Sequence, residues 1–430
     1  MTTTAESPRD ARPYDLVLFG ATGFTGRLVA EYLARRPSVG PGTRWAIAGR
    51  NPAKLAEVKA SLARIEPKLA ELPVLVCDSR DEASLEKVVT QTRVVCTTVG
   101  PYAVLGRELA RACARHGTDY CDITGEVPFV RASIDENHAA AVASGARIVH
   151  ACGFDAIPSD LGVHMVAGYL AKEDARRLAR ATSFFVMKGE FSGGTIASMM
   201  NLFEASAKDK ALRSLLTDPY ALVPNRETDR GPHGKDTYGV KHDDALGEWT
   251  APFVMSAFNT RVVHRSNALA GHPYGKDFRY EELMSTGAGA RGRFRATKFA
   301  VGLGSFMGVA ATSPGRALLR KVLPVSGEGP SETARKNGYF RVRVVGESDA
   351  TGGTPIRVLG RVEGFADPGY AETAKMVAES ALCLAHDRKT LGTPFGVLTP
   401  ATAMGDALVQ HLRDAGMKFT VEPFEKHYVH

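Results

Sequence analysis

The chain is 430 residues long, 44% hydrophobic and 23% charged, which suits two or three globular domains and excludes disordered, collagen-like and disulfide-rich classes. Its six cysteines (Cys77, Cys96, Cys113, Cys121, Cys152, Cys383) show neither CxxC nor metal-ligand spacing, so they read as reduced core thiols of a cytosolic protein with no metal site. The net charge of +7 is spread without a long basic run or interleaved aromatics, which argues against nucleic acid and suits a polyphosphate cofactor or an anionic carrier.

Residues 1–13 are polar with no apolar core, so they read as a disordered tail and not a signal peptide. Tyr14 to Gly26, YDLVLFGATGFTG, then joins an apolar run to glycines at 20, 23 and 26, with an amphipathic pattern from Arg27 to Arg36. Strand, tight turn and helix within one βαβ length give the glycine triplet its dinucleotide-binding context. Gly20 allows the turn, Gly23 lets backbone approach a pyrophosphate and Gly26 brings helix and strand close. The phosphate then sits at the helix N-terminus, which makes Gly20, Thr22, Gly23, Phe24, Thr25 and Gly26 candidate cofactor contacts.

Strand and helix patterns alternate through RWAIAGR (Arg44 to Arg50), VLVCD (Val74 to Asp78), VVCTTVG (Val94 to Gly100), TDYCDITGE (Thr118 to Glu126) and ARIVHACGFD (Ala146 to Asp155). This predicts an α/β Rossmann domain over 14–157, a doubly wound parallel sheet whose strand C-termini form the ligand crevice. The second strand ends in Gly49, Arg50 and Asn51, with Lys54 one turn on, where an NAD site usually carries an acid. Arg50 can fork onto a 2′-phosphate or stack on adenine, so NADPH is the expected cofactor; the bland alternative is a solvated arginine. Asp78 is placed to meet the adenine edge or to cap the following helix. Val99, Gly100, Pro101 and Tyr102 follow the fourth strand, where the nicotinamide would lie. Tyr102, Glu126 and Asp155 are the candidate catalytic residues, against the alternatives of a packing tyrosine and two helix caps.

GATGFTG, AGRNPAKL, TTVGPYAVLG, DYCDITGE and GFDAIPSDLG, in this order and spacing, resemble the saccharopine dehydrogenase-like family, and most of all its branch of trans-acting enoyl reductases. The likeness returns at GPSETARKNGYF (Gly329 to Phe340) and GVLTPATAMG (Gly396 to Gly405). The resemblance implies a Rossmann domain, an inserted α+β domain over 158–367, and a segment 368–430 that returns to the first domain. For the branch it further implies reduction of an unsaturated acyl chain held on a partner polyketide synthase or acyl carrier.

Beyond Pro158 the pattern changes. A helix is expected from Ser159 to Leu170 and a strand over Ala181 to Glu190, followed by a second glycine turn at Ser192, Gly193, Gly194 and Thr195. Lys208 to Gly247 reads as a long exposed excursion, and His233, His242, His264 and His272 lack metal spacing. Three alternating stretches, Asp277 to Met284, Tyr339 to Glu347 and Pro355 to Gly364, predict an antiparallel sheet covered by helices or by a second subunit of a homodimer. The uncharged run Phe299 to Pro314 is too short to span a bilayer. With Arg316, Arg320 and Lys321 behind it, residues 299–323 suit an interfacial helix in peripheral contact with a membrane, a tunnel wall or a buried helix. Amphipathic helices are expected from Tyr370 to His386 and from Thr399 to Asp414, and Met417 to Phe424 as an edge strand.

Together these features describe an NADPH-dependent oxidoreductase acting on an acyl thioester or similar lipid-like substrate. Two alternatives stay open: a reductase of an amino acid or other carbonyl compound, and a non-catalytic dinucleotide-binding protein associated with lipid.

Overall fold

In a computed structural model, the structure describes residues 9, 11–36, 42–189, 200, 202, 204–232, 234, 239–322, 329–351 and 353–425. The second glycine turn at 192–195 and His233 lie outside the described residues. The chain divides into two compact units, one holding residues 1–154, 327–329 and 370–415, the other 155–326, 330–369 and 416–430.

The first unit contains a seven-stranded parallel sheet: β1 (Tyr14–Phe19), β2 (Trp45–Gly49), β3 (Val74–Val76), β4 (Thr92–Thr97), β5 (Asp119–Asp122), β6 (Arg147–Val149) and a late strand, β13 (Gly396–Leu398). Their order is β13-β6-β5-β4-β1-β2-β3. The order reverses at β1, which pairs with β2 on one side and β4 on the other, the switch point where such sheets bind ligands. Leu16, Val17, Leu18, Ala46, Ile47, Val94, Val95 and Cys96 are fully buried, as strands covered on both faces require. The helices are α1 (Phe24–Arg35), α2 (Pro52–Ala63), α3 (Glu82–Val89), α4 (Tyr102–Leu105), α5 (Arg107–His116) and α6 (Val127–Ser144).

The second unit holds α7 (Ile157–Asp174) and a mixed sheet of β7 (Leu178–Lys188), β8 (Lys241–Asp243), β9 (Glu248–Pro252), β10 (Arg279–Gly287), β11 (Tyr339–Ser348), β12 (Arg357–Gly364) and β14 (Lys418–Pro423). It is not purely antiparallel, because β10 lies parallel to β7 while the other neighbours alternate. Its helices are α8 (Lys210–Thr217), α9 (Ser256–Leu269), α10 (Gly289–Ala311), α11 (Ser313–Val322) and α12 (Glu332–Lys336). The remaining four belong to the first unit: α13 (Thr373–His386), α14 (Arg388–Leu391), α15 (Pro400–Ala403) and α16 (Gly405–Asp414).

Four expectations are corrected. Arg9 and Arg12 of the supposed tail are docked: Arg9 is buried and ion-paired with Asp119 at 2.5 Å, and Arg12 donates to Thr92 O at 2.8 Å and to Thr118 Oγ1 at 2.7 Å. Segment 368–430 does not return as one piece, since β14 pairs with β12 and extends the second sheet. The stretch 208–247 is not uniformly exposed, because Tyr220, Ala221, Leu222 and Val223 are core residues. Helix α13 is enclosed on every side instead of amphipathic. Its buried Glu379 is satisfied by the Tyr32 hydroxyl, by Arg36 at 2.7 Å and by His411 at 3.0 Å.

Candidate cofactor and active site

The glycine turn is built as its spacing requires. Gly20 has φ +93° and hands its N–H to Ala48 O at 2.9 Å, while Gly23 donates to Gly20 O at 3.0 Å, which closes the turn between β1 and α1. A Cβ on Gly26 would lie 2.1 Å from Gly20 O, and one on Gly20 would lie 2.6 Å from Val99 Cγ2. Neither position accepts a side chain. Gly23 is the exposed N-cap of α1, so no side chain caps the first-turn amides of Phe24, Thr25 and Gly26, which the helix ladder cannot satisfy. Thr22, Phe24 and Thr25 are half-buried around this opening. The cradle fits a pyrophosphate.

Phe24 is held from an unexpected quarter. It meets Tyr370 edge-on at a ring-centroid distance of 4.9 Å, and a Cβ on Gly329 would lie 2.3 Å from its ring. Gly329 opens the GPSETARKNGYF stretch, so that motif includes a residue packed over the turn. Sequence reading missed both Gly329 and Tyr370 beside this turn; the motif was a signal for Gly329, and Tyr370 carried none.

At the end of β2, Arg50 and Lys54 are exposed, and neither side chain meets a carboxylate among the described residues. Asn51 accepts from Lys54 N–H at 3.0 Å and starts α2, with Pro52 at the first helical position. Two unpaired cations beside the strand that neighbours β1 fit a ribose phosphate. Asp78 follows β3, and its carboxylate accepts from Arg80 N–H at 3.0 Å in a local turn.

After β4 the chain passes through Val99, whose N–H donates to Thr97 Oγ1 at 3.2 Å, and a cis Gly100–Pro101 bond into α4. Tyr102 is 6% exposed. Its hydroxyl donates to Thr97 O at 3.2 Å and accepts from Ile123 N–H at 3.4 Å. Glu126 accepts from the N–H groups of Tyr102 at 3.0 Å and Ala103 at 2.8 Å, so its carboxylate sits on the first turn of α4. The structure thus brings Tyr102 and Glu126 together as a tie between the β4 and β5 loops. Asp155 belongs to the second unit, half-buried ahead of α7.

The β5 and β6 ends carry a cluster that the sequence reading did not single out. Fully buried Asp122 accepts from the Tyr120 hydroxyl at 2.9 Å, from Thr124 N–H at 3.1 Å and from Ala151 N–H at 3.0 Å, and lies 2.7 Å from His150 Nδ1. His150 Nε2 lies 2.9 Å from Ser133 Oγ. Burial, with Asp122 beside it, pushes the Tyr120 phenol far up, so it stays protonated as a donor. Ser, His and Asp meet here, yet all three are buried and each is engaged within the fold, so the group is a brace and not a nucleophile. Burial also pushes up the thiols of Cys77, Cys113, Cys121, Cys152 and Cys383, and all six cysteines are free.

Comparison with known proteins agrees with this geometry. Residues 16–149 match the family model described as the saccharopine dehydrogenase NADP binding domain, so the first unit carries an NADP-binding domain of that type. A Mycobacterium tuberculosis protein provisionally named a trans-acting enoyl reductase is 43% identical over 418 residues, covering 94% of this chain and 97% of its own length. The trans-acting enoyl reductase of Mycobacterium ulcerans is 40% identical, with coverage of 94% and 97%. Among solved structures, apo saccharopine dehydrogenase (L-Glu forming) from Saccharomyces cerevisiae aligns with a TM-score of 0.52 at 12% identity, covering 95% of this chain and 99% of that one, a likeness of fold. The glycine cradle, the switch-point sheet and these full-length relatives together place the chain in the saccharopine dehydrogenase-like family, in its branch of trans-acting enoyl reductases.

Proposed function

We propose that this chain is an NADPH-dependent enoyl reductase that reduces an α,β-unsaturated acyl thioester, presented by a partner polyketide synthase or acyl carrier. The observation that carries the cofactor half is the Gly20–Gly26 turn, whose Gly23 N-cap leaves the first-turn amides of α1 without a side-chain cap, with Arg50 and Lys54, unpaired among the described residues, beside it. The acyl half rests on similarity to relatives named trans-acting enoyl reductases.

In this reading, NADPH supplies the hydride when bound. The chain's own residues bind and orient. Amides of Phe24, Thr25 and Gly26 would hold the pyrophosphate, Arg50 and Lys54 would hold the 2′-phosphate, and the loop from Val99 to Tyr102 would border the nicotinamide end. Reduction places negative charge on the thioester oxygen as the β-carbon accepts hydride, so the site must supply a donor there and exclude water. Tyr102 and Glu126 serve this by fixing the loop, because their polar atoms already hold backbone groups.

The test is calorimetry of the purified chain with NADPH and NADH, followed by NADPH oxidation with an enoyl-pantetheine thioester. NADPH-selective binding with saturated thioester as product supports the reading. Turnover of a keto or imino acid with none of the enoyl thioester would replace the substrate class, and failure to bind either nucleotide would remove the cofactor assignment.

A further inference from the structure

Helix α10 (Gly289–Ala311) contrasts with the chain's other long helices, since only Gly292, Ala296 and Ala310 of its 23 residues are buried. Its outward surface changes character along its length. Arg291, Arg293, Arg295 and Lys298 are exposed over the first ten residues, with Phe294 among them at 70% exposure. From Phe299 to Ala311 no residue is charged, although Val301, Gly302, Gly304, Ser305, Met307, Gly308, Val309 and Ala311 all face solvent. Phe294, Lys298, Val301 and Ser305 fall four, three and four residues apart, a single stripe down the helix.

The following α11 (Ser313–Val322) continues the pattern, with Leu318 59% exposed and Lys321 exposed. Arg316 turns inward and ties the two helices by donating to Ala310 O and Ala311 O, each at 3.1 Å. Arg293 lies over the Trp249 ring at 5.2 Å, whereas Arg291, Arg295 and Lys298 meet no carboxylate among the described residues.

The charge pattern selects the occupant of this face. Between Glu282 and Glu328 the sequence has no acidic residue, while it has Arg291, Arg293, Arg295, Lys298, Arg316, Arg320 and Lys321. A face that met a second copy of itself would set cations against cations with no acid to neutralise them. A surface with anionic groups above an apolar layer complements both parts at once: the cations meet the headgroups and Phe294, Val301, Val309 and Leu318 enter the acyl boundary. The helix cannot go further, since among the described residues no helix is long and apolar enough to cross a membrane.

We propose that α10 and α11 dock this chain on an anionic lipid surface, lying in the interface with the α10 N-terminal cations on the headgroups. The experiment is sedimentation of the full-length chain with phosphatidylcholine vesicles, with and without phosphatidylglycerol, at low and at physiological salt. Binding is expected only to the phosphatidylglycerol vesicles and is expected to weaken as salt screens the contact. The Arg291→Ala/Arg295→Ala/Lys298→Ala variant is expected to bind on the order of a hundredfold more weakly, from about fivefold per cation. Val301→Ser/Val309→Ser/Leu318→Ser is expected to weaken vesicle binding without removing its charge selectivity. Both variants should keep wild-type NADPH affinity, which separates lost docking from lost folding.

Wild-type protein that stays in the supernatant with anionic vesicles would overturn the proposal. So would equal binding to neutral and anionic vesicles. A dimer in light scattering that the serine variant converts to monomer, without vesicle binding, would assign the face to a second copy. Charge-dependent capture by a purified acidic acyl carrier protein, with none by vesicles, would assign it to that partner instead.

Discussion

The carboxyl edge of the parallel sheet has two regions whose polar groups are in opposite states. At the β1 and β2 ends, the Gly20–Gly26 turn shows backbone amides with no side-chain cap, and Arg50 and Lys54 stand exposed and meet no carboxylate among the described residues. At the β5 and β6 ends, Asp122, His150, Ser133 and Glu126 are buried, and their hydrogen-bonding capacity is turned on neighbouring loops. Chemically the second region looks the richer, with its Ser-His-Asp contact and paired loops. Physically the first is the one with unspent interactions. Ligand affinity comes from groups the fold leaves unsatisfied, and rigidity from those it satisfies, so under the proposed function the poorer-looking region would take the cofactor while the richer one braces the sheet edge.

Removing the brace should produce the largest change. Asp122→Ala leaves the Tyr120 hydroxyl, His150 and two backbone N–H groups without their acceptor inside the core. The expected cost is about 3–5 kcal/mol, the scale for breaking a buried hydrogen-bonded charge by deleting one partner. Thermal and urea unfolding of the full chain measure it. A loss under about 0.5 kcal/mol, as at an ordinary surface position, would show that the second region does not hold the scaffold.

Filling the cradle comes next. Gly26→Val places a Cβ 2.1 Å from Gly20 O, so the turn and helix must separate and the amides lose their aim. NADPH affinity is expected to fall on the order of a hundredfold, about two charge-assisted hydrogen bonds to the phosphates. Calorimetry reads the loss, and an unchanged far-ultraviolet dichroism spectrum separates it from unfolding.

A smaller effect tests the unpaired cations. Arg50→Ala should lower NADPH affinity about tenfold to a hundredfold, from about 1.5–3 kcal/mol for a hydrogen bond to a charged group, and leave NADH affinity unchanged. Equal losses for both nucleotides would mean that Arg50 stacks on adenine and does not read the phosphate.

The glycine turn and the strand–helix alternation of a parallel sheet were legible in the sequence because both are local: three glycines at fixed offsets between an apolar run and a helix pattern carry their own geometry. What was not legible is held by contacts distant along the chain. Arg9 looks like part of a polar tail until Asp119 is folded beneath it, 110 residues away. Gly329 gives no sign that its missing side chain makes room for Phe24. Helix α13 has enough polar residues to read as amphipathic, and contacts with Tyr32, Arg36 and His411 allow Glu379 to be buried. The edge strand Lys418–Pro423 was recognisable as a strand, but its sheet was set by pairing with β12, which periodicity does not encode.

The smallest effect bears on the boundary between the two regions, where Tyr102 stands. A tyrosine after the fourth strand is a natural proton or hydrogen-bond donor to a substrate oxygen, and losing such a donor costs about a hundredfold or more in turnover. Here the hydroxyl gives its proton to Thr97 O and takes one hydrogen bond from Ile123, while the ring packs on Phe129 at 5.7 Å. The Ile123 contact binds the loop after β4 to the loop after β5, and the Thr97 contact ties the first of these loops back to the end of β4. Tyr102→Phe keeps the ring and deletes the hydroxyl contacts, so it should cost about 0.5–1.5 kcal/mol of stability and leave turnover of an enoyl thioester within a few-fold of wild type. A drop of a hundredfold in kcat with unchanged stability would place the hydroxyl on the substrate and move Tyr102 from the braced region to the reactive one. The conservative substitution reports on both roles in one protein, because the melting point reads the scaffold and kcat reads the chemistry.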